Sequence, residues 1–441
     1  MLSYRDGRLA LDELPLAQAA ERFGTPLFLF SAATLRENFA ALSSGLDADG
    51  GPAAIRYCVK TNHEAAILSL LAACGSHAMV SHPAEAALAL ASGFPPDRLA
   101  YQRPVLLVED LRALLGMGVT RLHASHLSDL ELIERVADEL DRPVRVSLRV
   151  GTPGGAGLSP FGYLARRLGL TDRSLFQAAA RLRRSRRLEL AGINAYLGTQ
   201  QESVGRYRHL VRGLVRTAER LQDALGTRLE EIDIGGGFPS PHLGRLGLGR
   251  FRRHLPADLE GSGRSAALET FARRVGASYA EAAAGRLGPR PRLVAELGRA
   301  VVGSAGILLT RVRTFRGRWA FLDASRHALP ESPLLFWRQV LLVAEPARRV
   351  PRRAYHLSGA TLDTLDVLGM WRRLPPLEAG ALLALCDAGA YSLSRATRYA
   401  GLLPAACLVE SDGSCRQIRR AETLADLAGP MGVCGGPGSG A

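Results

Sequence analysis

Lys60 is the only lysine in a chain of 441 residues that carries 56 basic residues in all. Arginine holds its proton too tightly and spreads its charge too widely to form an imine, whereas a lysine amine can be tuned to do so. Where arginine serves for every ordinary surface cation, the one remaining lysine points to covalent chemistry on a carbonyl compound. Asp233-Ile-Gly-Gly-Gly-Phe238 offers a second chemistry. Its glycines, Gly235, Gly236 and Gly237, let backbone amides come close to a phosphate, although a glycine triplet by itself reads equally well as a turn. Glu296, Gly298 and Arg299 lie in Val294-Ala-Glu-Leu-Gly-Arg-Ala300, and Asp323 and Asp363 stand further on. Each of these acids alone also reads as a turn residue.

These residues need a scaffold, and the hydrophobic pattern supplies one. Short apolar segments, Leu27 to Phe30, Ile55 to Val59, His77 to Val80, Leu99 to Tyr101, Arg121 to Ala124, Val144 to Val150, Ala191 to Tyr196 and Glu231 to Ile234, read as strands. Runs rich in Ala, Leu and Arg lie between most of them and read as helices, among them Glu64 to Ala73, Asp129 to Glu139 and Tyr207 to Leu225. Repeated strand-helix units predict a parallel sheet, and this many suit an eight-stranded, TIM-like (β/α)8 barrel. Lys60 then falls at the C-terminal end of a barrel strand, the end at which such barrels hold their active sites. From about residue 300, short strands at Gly306 to Val312, Trp319 to Leu322 and Ala381 to Leu385 alternate with Gly, Pro and Asp turns, which predicts a mostly antiparallel β domain. Near the start, a hairpin around Asp6-Gly7 and a helix over Leu14 to Phe23 are expected.

With these residues in place, the chain resembles the ornithine/diaminopimelate/arginine decarboxylase family of fold-type III, alanine-racemase-like enzymes that use pyridoxal 5'-phosphate (PLP). The family signature around its cofactor-bearing lysine is Tyr-Ala-Val-Lys-Ala-Asn, and Tyr57-Cys-Val-Lys-Thr-Asn62 is similar to it. The resemblance runs from about residue 10 to about 425, and it implies that Lys60 anchors PLP and that Gly235, Gly236 and Gly237 receive its phosphate. Glu296 then pairs with the ring nitrogen, and Gly298 and Arg299 belong to the same segment, Arg299 facing the phosphate or a substrate carboxylate. Tyr391, in Cys386-Asp-Ala-Gly-Ala-Tyr, is implied to reach the phosphate. Asp363 falls on the acid that binds the distal amine of the substrate, and Asp323 on an aspartate near the same end. The loop of Asp363 comes from the partner subunit in the family, which implies a homodimer with shared active sites. The expected layout is an N-terminal segment over 1–28 packing with the C-terminal domain, a PLP-binding barrel over 29–298, a β domain over 299–427 and a disordered tail over 428–441.

Three departures from the family pattern bear on the reaction. Leu362 occupies the place of a cysteine that helps protonate Cα, and a leucine has no proton to give. Tyr196 stands where a histidine stacks on the cofactor, a contact a tyrosine ring can still make. Ser332-Pro-Leu-Leu-Phe336 replaces Arg-Pro-x-Leu-Tyr, whose arginine grips a distal carboxylate, and this points away from diaminopimelate. Arg149 and Ser159-Pro-Phe-Gly162 fall where family residues line the barrel mouth. The resulting expectation is a PLP-dependent decarboxylase that removes the α-carboxylate of an amino acid, basic or diamino, with Lys60, Glu296 and Asp363 as its catalytic residues. A racemase or decarboxylation-coupled transaminase on the same scaffold, and a non-catalytic PLP-binding relative, are the alternatives.

Composition bounds the rest. The net charge of +14 raises the question of nucleic acid, but the arginines come in short helical clusters without interleaved aromatics, which reads as a solvated basic surface. No run of roughly twenty uncharged apolar residues occurs, so no membrane span is expected, and Met1-Leu-Ser-Tyr-Arg-Asp6 lacks a basic segment followed by an apolar one, so no secretory signal is expected. Six cysteines, Cys58, Cys74, Cys386, Cys407, Cys415 and Cys434, show no paired spacing, as expected of reduced thiols in the cytoplasm and not of a zinc site.

Overall fold

The computed structural model describes residues 2–47, 51–151, 168–240, 244–245, 262–330, 336–337, 340–344 and 353–431. Ser159 to Gly162, Ser332 to Leu335, Cys434 and the tail from residue 432 lie outside the described residues. The chain divides into two compact units, one within Arg36–Pro239 and Ser262–Val301, the other within Met1–Leu35, Ser240–Gly261 and Val302–Ala441.

The first unit is a closed parallel barrel. Its strands are β1 (Ala53–Cys58), β2 (His77–Val80), β3 (Leu99–Tyr101), β4 (Arg121–Ala124), β5 (Val144–Arg149), β6 (Leu188–Asn194), β7 (Glu231–Asp233) and β8 (Arg292–Leu297), in that order around the ring. Parallel neighbours need a crossover, and a helix stands between each consecutive pair: Ala65–Ala73, Pro83–Ala91, Val108–Gly116, Leu127–Glu139, Asp172–Arg184, Val204–Leu225 and Ser262–Ala283. The helix Val204–Leu225 buries Leu210, Leu214 and Leu221, spaced so that they share one face. It stops where Gly226 takes a left-handed conformation, φ +62°. β8 closes the ring against β1, setting Glu296 opposite Arg56 and Leu297 opposite Tyr57.

The second unit is a mixed, mostly antiparallel β sheet. Leu27–Ser31 belongs here and not to the strand-helix series in which the sequence pattern places it. It pairs antiparallel with Gly306–Arg316 and parallel with Ala405–Val409, and all five of its residues are buried. An apolar strand followed by a helix reads as a β/α unit, and only its distant partners distinguish it as the middle of another sheet. The eighth barrel strand is Arg292–Leu297, the one that carries Glu296. The expected hairpin forms between Leu2–Arg5 and Arg8–Leu11, with Asp6 and Gly7 both at positive φ as a two-residue turn of this hand requires. No helix among the described residues is long and apolar enough to cross a membrane.

Candidate active site

β1 ends at Cys58, and a single 3-10 turn, Val59–Thr61, carries Lys60 past the C-terminal end of the strand. Val59 and Thr61 are buried while Lys60 is exposed, so the lysine side chain projects from an anchored base. The fully buried Tyr57 donates its hydroxyl to the carbonyl oxygen of Asn62 at 2.9 Å, and Asn62 Oδ1 accepts from the Glu64 amide at 3.1 Å. Strand, turn and the helix Ala65–Ala73 are thereby tied together. Gly298 closes on the same turn: a side chain there would collide with that of Thr61.

The glycine loop leaves the end of the neighbouring strand but one, β7. Asp233 Oδ1 accepts from the Gly235 amide at 2.8 Å, and the Gly235 carbonyl accepts from the Glu296 amide at 3.0 Å. A side chain at Gly236 would run into the Glu296 carbonyl, and one at Gly237 into the Gly198 carbonyl. At Gly235 it would lie 2.6 Å from the Ala195 carbonyl oxygen and 3.1 Å from the ring of Tyr196, which rests against the loop. Gly237 also holds φ +95°, where side chains are strained. The carbonyls of Gly236 and Gly237 are taken by Tyr207 Oη at 3.0 Å and the Gln201 amide at 2.8 Å. The loop is therefore a cradle from which every side chain is excluded.

Glu296, half-buried near the end of β8, accepts from Asn194 Nδ2 at 3.4 Å, and Asn194 in turn accepts from Gln102 Nε2 at 3.3 Å. Close to Glu296 lies a set of charges inside the barrel. Arg56 is buried and donates to Glu231 at 2.6 and 3.0 Å and to Asp233 at 3.1 Å. Ser147 adds a bond to Glu231 at 3.0 Å, and Arg121 stands 3.2 Å from it. Burial pushes the Glu231 carboxyl up, but the charge and hydrogen bonds of Arg56 outweigh it and bring it down to about 2. Asp233 goes the other way, raised well above the usual carboxylate range by burial and by the charge of Glu296. Burial, with Arg56 adding to it, lowers His123 to about 3, so this imidazole is neutral. Burial likewise pushes the Cys58 thiol up to about 12, and it donates to the Glu296 carbonyl at 3.4 Å.

Five residues expected from the sequence to serve one cofactor thus gather at one end of the barrel: Lys60, Gly235, Gly236, Gly237 and Glu296, with Tyr196 against the glycine loop and Gly298 against the lysine turn. Arg299, buried, opens the short helix Arg299–Val302. Arg149 ends β5, near enough to Glu296 to feel its charge. The set fits PLP: an amine for its aldehyde, a carboxylate for its ring nitrogen, and a cradle without side chains for its phosphate.

The other three expected residues lie in the β unit. The Asp323 carboxylate is held by Thr25 Oγ1 at 2.7 Å, Thr310 Oγ1 at 2.7 Å, the Arg311 amide at 2.9 Å and Arg313 at 2.8 Å. Asp363 sits on a turn whose Leu365 amide donates to it at 2.9 Å, with His327 Nε2 3.1 Å away. That amide bond, with the charges of Arg326 and His327, holds its carboxyl below the usual range. Leu362, beside it, is 99% exposed. Tyr391 is half-buried and adopts φ +55°, a conformation rare for a side chain of its size.

Sequence reasoning passes over Arg56, His123, Ser147 and Glu231. For Arg56, His123 and Ser147 the signal is a polar residue flanked by apolar ones within a strand, whereas Glu231 follows Glu230 at a strand start, and in each case inward and outward positions cannot be told apart until the barrel closes.

The sequence pattern of the family described as "Pyridoxal-dependent decarboxylase, pyridoxal binding domain" matches residues 32–303. The diaminopimelate decarboxylase of Pseudomonas aeruginosa is 30% identical over 435 residues, 96% of this chain and 97% of its own. That of Actinosynnema pretiosum is 31% identical over 436 residues, 96% of this chain and 92% of its own. A crystal structure of the diaminopimelate decarboxylase of M. jannaschii superposes with a TM-score of 0.86 at 22% identity, covering 99% of this chain and 98% of that one.

Proposed function

The chain belongs to the family of pyridoxal-dependent amino-acid decarboxylases, and from that premise we propose that it removes the α-carboxylate of a diamino acid in a site shared between two copies of the chain. The observation that carries this reading is the position of Lys60, exposed on a braced turn at the same barrel end as Glu296 and the glycine cradle.

When bound, PLP supplies a ring that takes up the electron pair released as the bond from Cα to the carboxylate breaks. Lys60, exposed on its turn, would be the amine that holds the cofactor and, once released from it, a group able to hold a proton near Cα. Glu296 keeps a proton on the ring nitrogen, and Asn194 fixes the carboxylate that does so. Gly235, Gly236 and Gly237 would admit the phosphate, Tyr196 beside Gly235 would offer its ring for stacking, and Arg299 and, as in the family pattern, Tyr391 would supply a guanidinium and a hydroxyl to the phosphate. Asp363, held ionised by its turn, receives the distal ammonium group of the substrate. Asp323, whose oxygens already serve four donors, we assign to bracing the sheet. Leu362 contributes no proton, so protonation of Cα falls to Lys60 or water.

The names of the full-length relatives favour diaminopimelate as the first substrate to test. Ser332, in place of a carboxylate-gripping arginine, favours diamino acids without the second carboxylate. Leu362, Leu365 and Trp371 are exposed around the Asp363 turn, and apolar groups left open in this way support a homodimer. The described cysteines form no disulfide, which suits the cytoplasm.

The test is direct. Protein supplied with PLP is incubated with diaminopimelate, lysine, ornithine and arginine, and released CO2 and the amine product are followed by mass spectrometry. One of the diamino acids is expected to lose one CO2, and Lys60→Arg is expected to abolish both turnover and the borohydride-fixed adduct on the peptide containing residue 60. Turnover of none of the four, or an adduct that survives in Lys60→Arg, overturns the reading.

A further inference from the structure

His123 is fully buried on β4, and among the described residues neither of its ring nitrogens has a hydrogen-bond partner. Buried polar side-chain atoms nearly always have one, so an imidazole with both nitrogens open calls for an explanation. Its surroundings narrow the choice. A ring nitrogen of His123 and carboxylate oxygens of Asp233 and Glu296 all lie within 4.8 Å of one another. Asp233 is already engaged on both oxygens, Oδ1 by the Gly235 amide and Oδ2 by Arg56. Glu296 has one side-chain donor among the described residues, Asn194, and that bond is long at 3.4 Å. Glu296 is therefore the carboxylate with room for another donor, and His123 is the buried donor within reach.

We propose that His123 is a positioning residue for the cofactor: its ring donates an N–H to Glu296 and, with Asn194, holds that carboxylate in one orientation toward the ring nitrogen of PLP. The inference rests on the reading that Glu296 meets that nitrogen. A neutral donor suits the task, because it orders the carboxylate without adding a positive charge that would compete with the protonated ring. Burial and the nearby guanidinium of Arg56 are what keep the imidazole uncharged. The same three side chains, His123, Asp233 and Glu296, are also of the types that bind a divalent cation. The fixed charge of Arg56, 3.1 Å from Asp233, opposes that use.

The experiment compares the full-length protein with His123→Leu and His123→Gln, each freed of cofactor and titrated with PLP. Dissociation constant and the absorbance band of the bound cofactor are read, and unfolding temperatures without PLP are taken alongside. A lost hydrogen bond to a charged group predicts binding weakened about tenfold in His123→Leu, with a displaced band. His123→Gln, which keeps a neutral N–H, is expected to recover most of the affinity and the original band. In a Glu296→Gln background, His123→Leu should change the affinity by less than about twofold, since the two act through one contact. This last comparison holds the proposal open to refutation should His123→Leu alone fold poorly. Equal affinity and an unchanged band in His123→Leu, failure of glutamine to recover either, or a full effect in the Glu296→Gln background overturns it. So does zinc or manganese that travels with the unaltered protein and is lost from His123→Leu. Failure of the unaltered protein to bind PLP would instead defeat the functional reading itself.

Discussion

Thr61 fills the space in which Gly298 would carry a side chain, so the turn that presents Lys60 and the segment that follows Glu296 pack directly on each other. The lysine and the carboxylate come from strands at the two ends of the barrel's sequence, β1 and β8. Their relative position depends on this contact as well as on the register of Glu296 with Arg56. Gly298→Ala is expected to force the Thr61 side chain aside and destabilise the protein by about 1–3 kcal/mol, the usual range for overpacking. Affinity for PLP should fall as Lys60 is displaced. Thermal unfolding and PLP titration measure both, and adding Thr61→Ala, which removes the colliding oxygen, should restore part of each loss.

Arg56 is the hub of the buried charges, meeting Glu231 with two nitrogens and Asp233 with one. Removing it leaves carboxylates buried without their counter-charge, a change that costs about 3–5 kcal/mol. Arg56→Met is expected to lower the unfolding temperature sharply, and Arg56→Lys to rescue little, because an ammonium cannot reproduce the fork. Arg56→Met combined with Glu231→Leu should be more stable than Arg56→Met alone. Calorimetry on the three variants decides it.

Much of this architecture is legible in the order of the residues alone. Alternating apolar strands and helices announce the barrel, and the Tyr57 to Asn62, Asp233 to Phe238 and Val294 to Ala300 segments carry their own chemistry. What is not legible follows from long-range pairing. Leu27–Ser31 has the local pattern of a barrel strand, yet its partners lie far along the chain, at Gly306–Arg316 and Ala405–Val409. Arg292–Leu297 does not stand out as a strand because Arg, Glu and the following Gly break its apolar run. That Arg56, His123, Ser147 and Glu231 form one buried set is not legible for the same reason, since closing the ring is what turns these side chains toward one another.

Acid should weaken the fold in a definite window. His123 and His77 are held at about 3 and about 4, burial being the main cause in each and Arg56 a second. In the unfolded chain both take a proton near pH 6.5. Below that point the unfolded state binds more protons than the folded one, so stability falls as the pH drops. For the fully buried His123 the loss between pH 6.5 and 5 is about 2 kcal/mol. Glu231, at about 2 in the fold, adds a further loss below about pH 4.5, as the unfolded carboxyl protonates first. Urea unfolding of PLP-free protein at pH 7 and pH 5 measures this. His123→Leu should lose about 2 kcal/mol less than the unaltered protein between the two pH values, and an equal loss would contradict the assignment.

Asp363 offers the sharpest separation of binding from chemistry. Its turn is at the surface of the β unit, and its carboxylate is set by the Leu365 amide and His327, so Asp363→Asn should alter stability by less than about 0.5 kcal/mol. If the carboxylate receives the distal ammonium of a diamino substrate, the variant loses a charge-assisted bond formed equally before and during the reaction. KM should then rise about tenfold or more with kcat nearly unchanged. Norleucine, which has the length of lysine without its distal amine, should be handled equally poorly by the variant and the unaltered protein. A fall in kcat with KM unmoved would place Asp363 at the reacting carbon instead, and an unchanged KM for every diamino acid would remove it from the substrate altogether.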